Sequence, residues 1–282
     1  MGGYELIDAG DGARLERFGE RLVQRPQSGA DEPRLDPAAW PAADLRFESR
    51  AGWQILDTAT LDPWQVALDG LRLELRPTDS AQVGFFPEHA ASWPWLRTQV
   101  TARRAPDGGP PEVLNLFAYT GATTLVLVGA GASVAHVDSS RPAVAWARRN
   151  AELSGLADRP VRWLVEDAMA FVERELRRGR QYDGVVLDPP TYGHGGRGRG
   201  RPWRLEDGLD ELLAGCADLV EARGGLVHLT AHTPGFGPER LGVALATALG
   251  PGARPETGPL RLVARSGATL ELGALARSAG AR

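Results

Sequence analysis

The sequence predicts an α/β protein with a doubly wound, Rossmann-like sheet, a closing antiparallel strand and a small α+β domain in front of the sheet. Between residues 113 and 249, short apolar runs alternate with helical stretches, which is typical of a mostly parallel sheet. Two further β-like runs, 259–264 and 268–275, are joined so tightly at Ser266-Gly267 that they must be antiparallel to each other.

A linker divides the chain into two expected domains. The stretch 105–111 is rich in Pro and Gly, which is typical of a domain boundary. We therefore expect a small α+β domain over residues 1–104 and the sheet domain over residues 105–282. Asp11-Gly12 and Asp69-Gly70 each lie between two β-like runs, and these dipeptides predict β-hairpins in the first domain.

The first domain is also rich in aromatic side chains. Most of the tryptophans precede the sheet, at Trp40, Trp53, Trp64, Trp93 and Trp95. A compact aromatic core is the favoured interpretation, and a surface that stacks nucleic-acid bases is the alternative. The run Gln82–Phe86 predicts a third strand before a helical stretch over 90–103.

Composition excludes several classes of protein. The 282 residues carry a net charge of −4, which argues against a generally basic nucleic-acid binder. The single cysteine, Cys216, excludes an intrachain disulfide and a zinc cluster built on cysteines. His228 and His232 are four residues apart but fall on a strand and its exit, so no metal site is expected. No leader or membrane-spanning apolar run is found, and we expect a cytoplasmic protein without membrane contact.

The stretch Val113–Asp138 organises the second domain. It contains a buried strand, a tight turn that ends at Gly121, a helix of small residues, and a second strand that ends on Asp138. In open α/β sheets, ligands bind at the carboxyl ends of the strands, and an acid at the second strand typically holds ribose hydroxyls.

The choice of cofactor follows from what the turn lacks. A dinucleotide site needs several glycines at this turn, but only Gly121 is present, followed by Ala122. A P-loop needs a lysine, and the chain contains none. A nucleoside without a phosphate chain is therefore expected, and S-adenosylmethionine fits, with its carboxylate near Gly121-Ala122 and its sulfonium near an aromatic ring such as Phe117 or Tyr119.

Three acids follow successive strands, at Asp138, Asp167 and Asp188. Right-handed crossovers place these strand ends on one edge of the sheet. Asp138 is the ribose candidate and Asp167 is a candidate for the adenine amino group, although either could cap the following helix. Asp188 opens the stiff turn Asp188-Pro189-Pro190, whose carbonyls and carboxylate could hydrogen-bond a planar nitrogen-containing ring while Tyr192 stacks on its face. We therefore take Asp188, Pro189, Pro190 and Tyr192 as the catalytic candidates.

A Gly/Arg-rich segment follows that turn directly. Its candidates for gripping RNA phosphates and stacking a base are Arg197, Arg199, Arg201 and Trp203. A solvated surface loop is the alternative. His232, after the next strand, is a further candidate for a base or a substrate contact.

The motifs resemble a known family. Asn115–Gly121, Asp138 and Asp188-Pro189-Pro190 are similar to the class I S-adenosylmethionine-dependent methyltransferases, and more closely to bacterial 23S rRNA base methyltransferases that act on cytosine C5 or guanine N7. Gly84–His89 resembles the segment that precedes the sheet in that family and contacts its cofactor. Asn115 stands where an acid is usual. The cofactor candidates are Phe86, Pro87, Asn115, Phe117, Ala118, Tyr119, Gly121, Ala122, Asp138, Ser139, Ser140, Asp167, Ala168 and Asp188.

The reaction is constrained by a missing cysteine. Methylation of pyrimidine C5 requires a cysteine that adds to C6. Where the resembling family has it, this chain has Thr191-Tyr192 and Thr230–Thr233, and Cys216 lies in a helix where a core position is expected. We therefore expect methylation of a base nitrogen in RNA, and the resemblance points to large-subunit rRNA. A small-molecule methyltransferase and a catalytically idle protein that binds S-adenosylmethionine are the alternatives.

Overall fold

The computed structural model describes residues 2–56, 62–103, 105, 107–193 and 203–280. It divides into two compact units, one of Met1–Glu88 with Arg261–Leu272 and the other of His89–Leu260 with Gly273–Arg282. The division at 88/89 comes before the boundary that we expected at 104/105, because the helix over residues 93–101 packs against the first helix of the sheet unit. Within the described part of the chain, no helix has both the length and the apolar character needed to cross a membrane.

The first unit is built from β-strands. These are β1 (Tyr4–Gly10), β2 (Ala13–Phe18), β3 (Arg21–Pro26), β4 (Leu45–Glu48), β5 (Gly52–Ile55), β6 (Trp64–Leu68) and β7 (Leu71–Leu75), with a 3-10 helix at Pro37–Ala42. Strands β1 to β5 form one sheet in sequence order, and β6 pairs with β7. Both predicted hairpins are confirmed: Asp11-Gly12 and Asp69-Gly70 adopt positive φ at both positions, as a type I′ turn requires.

The predicted strand over Gln82–Phe86 is wrong. Gly84, at the centre of the run, has φ of +106°, and Ala81, directly before the run, has φ of +64°, so neither residue is in an extended strand conformation. The segment instead folds back, because the N–H of Thr78 donates to the carbonyl of Gln82 and the N–H of Arg76 donates to that of Val83.

The tryptophans of this unit donate hydrogen bonds to acceptors within the unit. The indole N–H of Trp40 donates to Oδ2 of Asp8 at 2.8 Å, that of Trp53 to the carbonyl of Thr78 at 2.8 Å, and that of Trp64 to the carbonyl of Phe18 at 3.1 Å. Indoles whose N–H groups are satisfied internally are typical of structural positions. The aromatic core is thus favoured over a base-stacking surface.

The carboxylate of Glu16 lies in the core of the first unit. The side chain of Glu16 is fully buried, and its Oε2 lies 2.8 Å from Nε of Arg25 and 3.3 Å from Nε of Arg14. The Tyr4 hydroxyl donates to Oε1 at 3.0 Å. Arg25, also buried, donates further to the carbonyl of Ala81 at 3.1 Å. The first unit therefore folds around a paired buried charge.

The second unit is an α/β sheet. Its strands are β8 (Glu112–Leu116), β9 (Ser133–Asp138), β10 (Val161–Val165), β11 (Gly184–Leu187), the short β12 (Tyr192–Gly193) and β13 (Trp203–Arg204), and β14 (Leu226–Ala231), and the chain ends in β15 (Glu256–Val263) and β16 (Thr269–Ser278). Its helices are α1 (Trp93–Thr101), α2 (Ala122–Gly129), α3 (Arg141–Leu153), α4 (Ala168–Arg177), α5 (Leu205–Glu221) and α6 (Pro238–Leu249).

The sheet confirms the predicted fold class. Seven strands are ordered β10-β9-β8-β11-β14-β16-β15, with β8 to β11 and β14 parallel and β16 antiparallel to β14. Helix α2 packs with α1 and α3, whereas α5 packs with α4 and α6, so the helices form two groups as in a doubly wound sheet. The strand order reverses between β8 and β11, which is where such sheets bind ligands.

The core of the second unit includes side chains of its central strands. Strand residues such as Leu114, Leu116 and Leu187 are fully buried between the helix layers. The expectation that Cys216 is a core residue is confirmed, since it is fully buried and burial raises the pKa of its thiol to about 12. A thiol in that state is a poor nucleophile.

Candidate active site

The turn after β8 is held in an unusual backbone conformation. Phe117, Tyr119 and Gly121 have φ of +53°, +48° and +84°. Two of these residues carry side chains, and such residues adopt this region only where surrounding contacts impose it. The constraint comes from strand β9 and helix α3, because the N–H of Ala118 donates to the carbonyl of Val137 at 3.1 Å and the side-chain amide of Asn150 donates to the carbonyl of Thr120 at 2.9 Å.

Gly121 is required at the end of this turn for two reasons. It is the N-cap of α2 at φ +84°, and a Cβ at this position would lie 2.8 Å from Cβ of Ala147 on α3. The absence of a side chain thus permits both the left-handed backbone and the close approach of α3.

We expect Gly121→Ala to lower the free energy of unfolding by about 2–4 kcal/mol, of which about 1–2 comes from the left-handed backbone and the rest from overpacking against Ala147. Urea denaturation followed by circular dichroism measures this loss. Gly131→Ala is the matched control, since Gly131 also has positive φ, +102°, but no described atom lies within 4 Å of the added Cβ. Equal losses in the two variants would contradict the predicted clash.

Asp138 joins the turn to the start of α3. Its Oδ2 accepts from the N–H of Tyr119 and its Oδ1 from the N–H of Ser140, both at 2.8 Å. Burial raises the pKa of Asp138 above its ordinary value, and the two backbone N–H groups oppose that rise. Each carboxylate oxygen retains accepting capacity, so the group can hold both the turn and a pair of hydroxyls.

A cleft opens at the carboxyl ends of β9, β10 and β11. It is lined by Phe117, Val137, Asp138, Ser139, Glu166, Asp167, Ala168, Met169, Pro190, Gly193 and Trp203. The structure therefore brings Phe117, Asp138, Ser139, Asp167 and Ala168, all predicted for the cofactor, to one cleft. Ala118, Tyr119, Ala122 and Ser140 belong to the turn and the helix starts around it.

Asp167 performs the capping role and also lines the cleft. Its Oδ1 accepts from the N–H of Ala170 at 3.0 Å, which caps α4. Glu166 and Met169, which flank Asp167-Ala168, also reach the cleft and were missed by sequence reasoning. Their only signal was their position beside the strand end.

Asn115, predicted to contact the cofactor, does not line the cleft. Asn115 is buried inside β8, where its amide donates to Oγ1 of Thr124 at 2.8 Å, so its side chain is engaged within the sheet unit. Strand alternation explains this, because Leu114 and Leu116 face the opposite side from Asn115. Phe86 and Pro87 belong to the first unit, and their contact with cofactor stays a prediction.

Asp188 lies at the end of β11 in a polar surrounding. The Thr230 hydroxyl donates to its Oδ1 at 2.6 Å. Burial would raise the pKa of Asp188, but the imidazoles of His232 and His89 and the Thr230 hydrogen bond outweigh it and hold the pKa well below its usual range. Asp188 is therefore ionised near neutral pH. The following turn is tied to β14 by a 2.7 Å hydrogen bond between the hydroxyls of Thr191 and Thr233.

Trp203, rather than Tyr192, lies beside the Asp-Pro-Pro turn in the cleft. Its indole N–H donates to the carbonyl of Pro190 at 2.8 Å, and its ring lies 5.7 Å from that of Phe117. Tyr192 pairs with Arg204 in the short β12–β13 ladder, and its side chain is 70% exposed. Gly193 lines the cleft and Tyr192 does not, and the stacking of Tyr192 on an acceptor ring stays a prediction.

His232 lies beside Asp188, with 3.4 Å between its Nε2 and Oδ1 of the acid. His89, which sequence reasoning did not select, is the third member of this group. The predicted substrate residues Arg197, Arg199 and Arg201 lie outside the described residues.

Comparisons with known proteins identify the family of this chain. The family of S-adenosylmethionine-dependent methyltransferases matches residues 19–242. The crystal structure of the SAM-dependent methyltransferase from Agrobacterium tumefaciens is 34% identical, with a TM-score of 0.90, over 98% of this chain and 90% of that one. The structure of SMU.776 complexed with SAH has a TM-score of 0.77 at 14% identity over 98% of this chain and 75% of that one, and therefore shows the fold alone.

The curated relatives are longer proteins. The ribosomal RNA large subunit methyltransferase K/L of Methylococcus capsulatus is 36% identical over 118 residues, which are 42% of this chain and 16% of the relative. That of Shewanella baltica is 30% identical over 165 residues, 56% of this chain and 21% of the relative. The chain thus spans about a fifth of their length. From the family match and the Agrobacterium structure, the chain belongs to the S-adenosylmethionine-dependent methyltransferases, and S-adenosylmethionine is its cofactor.

Proposed function

We propose that the protein transfers the methyl group of S-adenosylmethionine to a base nitrogen of large-subunit ribosomal RNA. The observation that carries the proposal is the similarity, over about half of this chain, to enzymes named ribosomal RNA large subunit methyltransferase K/L. Since those relatives extend well beyond the matched part, their substrate is a proposal for this chain.

The chemistry at the cleft is consistent with a nitrogen acceptor. The nitrogen lone pair forms the new N–C bond while the C–S bond of the sulfonium breaks, which leaves S-adenosylhomocysteine, and the nitrogen releases its proton. This reaction needs alignment of nitrogen, carbon and sulfur rather than a nucleophilic side chain. The buried Cys216 fits this requirement, because it lacks the exposure that covalent C5 chemistry demands.

The residues have complementary roles in this proposal. Asp138 holds the ribose hydroxyls, and Asp167 with Ala168 borders the adenine. Trp203, in the same cleft as these residues, covers the adenosine face beside Phe117. Asp188 and the carbonyls of the Asp-Pro-Pro turn orient the acceptor base. The turn is stiff, since two consecutive prolines fix φ.

Methyl transfer from labelled S-adenosylmethionine tests the proposal. Total rRNA from a strain that lacks the protein is expected to accept label in its large-subunit fraction, whereas rRNA from the parent strain accepts little because the site is already methylated. Digestion to nucleosides and mass spectrometry then identifies an N-methylated base.

The controls separate the alternatives. Asp138→Ala is expected to abolish labelling of the same RNA. Label that appears only in small molecules of a cell extract, with none in rRNA or ribosomal particles, would overturn the RNA proposal in favour of a biosynthetic methyltransferase.

A further inference from the structure

Three side chains from distant segments converge at the end of β11. His89 precedes α1, Asp188 follows β11, and His232 follows β14. Nε2 of His89 lies 3.0 Å from Nε2 of His232 and 3.6 Å from Oδ2 of Asp188, and Nε2 of His232 lies 3.4 Å from Oδ1. Among the described residues, this is the group of histidine and acid side chains whose ligand atoms could hold a metal ion.

The distances are those of ligands around one cation. Metal–ligand bonds of about 2.1 Å separate neighbouring ligand atoms by about 3.0 Å at right angles and about 3.4 Å in a tetrahedron. Two of the observed separations, 3.0 and 3.4 Å, match these values, and the third, 3.6 Å to the other carboxylate oxygen of Asp188, is slightly longer. A hydrogen bond between the two imidazoles accounts for the 3.0 Å separation. It does not account for the two N···O distances, which exceed the roughly 2.7–3.2 Å of a good N–H···O bond. An imidazole Nε2 also carries at most one proton, and Nε2 of His232 faces both His89 and Asp188.

The three side chains also have the surroundings of a metal site, because a neighbouring group orients a ligand and solvent can reach them. The Thr230 hydroxyl donates to Asp188 at 2.6 Å, as outer-shell groups do when they orient a ligating carboxylate. The side chains of His89, Asp188 and His232 are 16%, 24% and 28% exposed, so a cation can enter and a coordination position faces solvent. Two imidazoles and one carboxylate suit Zn²⁺ and neighbouring first-row divalent ions.

We infer that His89, Asp188 and His232 form a binding site for a divalent first-row transition cation, with three protein ligands and one open position. This inference holds whether or not RNA is the substrate. Because it adjoins the Asp-Pro-Pro turn, a bound cation would present its open position to a nitrogen or oxygen atom of the methyl acceptor. Asp188 would then act on the acceptor through the cation.

Titration with Co²⁺ tests the inference, with untagged full-length protein that has been stripped with a chelator. We expect one Co²⁺ per chain, visible as d–d absorption of low coordination number, and displacement of that signal by Zn²⁺. His232→Ala, His89→Ala and Asp188→Asn are expected to weaken binding by more than the roughly 100-fold that loss of an outer-shell partner can cost, and Thr230→Val by roughly 10-fold.

Asp210→Asn, an exposed carboxylate on α5, is the matched control and is expected to bind Co²⁺ as the wild type does. Calorimetry with S-adenosylmethionine shows whether each variant is folded. It also distinguishes a loss of metal binding from a loss of cofactor binding. Should the wild type take up no metal, or should His232→Ala and Thr230→Val bind it undiminished while folded, the cluster is a proton-sharing network and the inference is wrong.

Discussion

Asp138→Ala is expected to weaken the binding of S-adenosylmethionine by at least about 100-fold. A hydrogen bond to a charged group contributes roughly 1.5–3 kcal/mol, and two ribose hydroxyls on one carboxylate therefore account for at least about 3 kcal/mol, which is about two orders of magnitude in Kd. The substitution also releases the N–H groups of Tyr119 and Ser140, which the carboxylate now holds at 2.8 Å. Isothermal titration calorimetry with the cofactor and with S-adenosylhomocysteine measures the loss.

Two variants show whether the effect belongs to the site. Asp158→Ala removes an exposed aspartate in the turn after α3 and is expected to leave the affinity unchanged. Asp138→Asn keeps one accepting oxygen and is expected to fall between the wild type and Asp138→Ala. If Asp138→Ala remains folded and binds either ligand with unchanged affinity, Asp138 is not the ribose anchor.

Glu16→Ala is expected to destabilise the first unit by about 3–5 kcal/mol. Removing one partner of a buried ion pair leaves an uncompensated charge, and here Arg25 and Arg14 would both lose their carboxylate in a core that excludes water. The Tyr4 hydroxyl would lose its acceptor as well. Denaturant unfolding, followed by tryptophan fluorescence, reports the change because Trp40 lies buried in the same unit.

Glu152→Ala is the control for charge removal without burial. Glu152 is paired with Arg149 on the surface of α3, three residues away, and such a pair contributes only about 0.3–0.5 kcal/mol. Glu16→Gln keeps the hydrogen-bonding shape but removes the charge, and we expect a loss close to that of Glu16→Ala. A change below about 1 kcal/mol in both Glu16 variants would show that the arginines find other partners.

The order of strands and helices could be predicted from local pattern. Apolar runs of strand length alternate with amphipathic stretches, and each of these signals depends on residues close together in the chain. The hairpins at Asp11-Gly12 and Asp69-Gly70 were predictable for the same reason, since a two-residue turn carries its own conformational requirement. The run Gln82–Phe86 shows where this reasoning fails, because its composition is strand-like. The positive φ of Ala81 and Gly84 depends on the surrounding fold. So do the hydrogen bonds that the N–H groups of Arg76 and Thr78 donate to carbonyls of this run.

The candidate site was predicted to the extent that it follows from topology. Asp138 and Asp167 each end or follow a parallel strand, and right-handed crossovers bring such ends to one edge whatever the side-chain packing. The same rule says nothing about the direction of a side chain after a strand has ended. For that reason the sequence did not predict that the Trp203 indole donates to the carbonyl of Pro190, or that the side chain of Tyr192 in the β12–β13 ladder is exposed.

By itself, then, the amino-acid sequence determined the doubly wound sheet, the turn at Gly121 and the acids at the strand ends, because each rests on local conformational preference or on the handedness of chain crossovers. Only the tertiary structure decided that Glu16 is buried between two arginines and that His89 meets His232 across 143 residues of chain. Contacts of this kind depend on how the helices and strands pack in space. No periodicity in the sequence encodes a distance between segments so far apart.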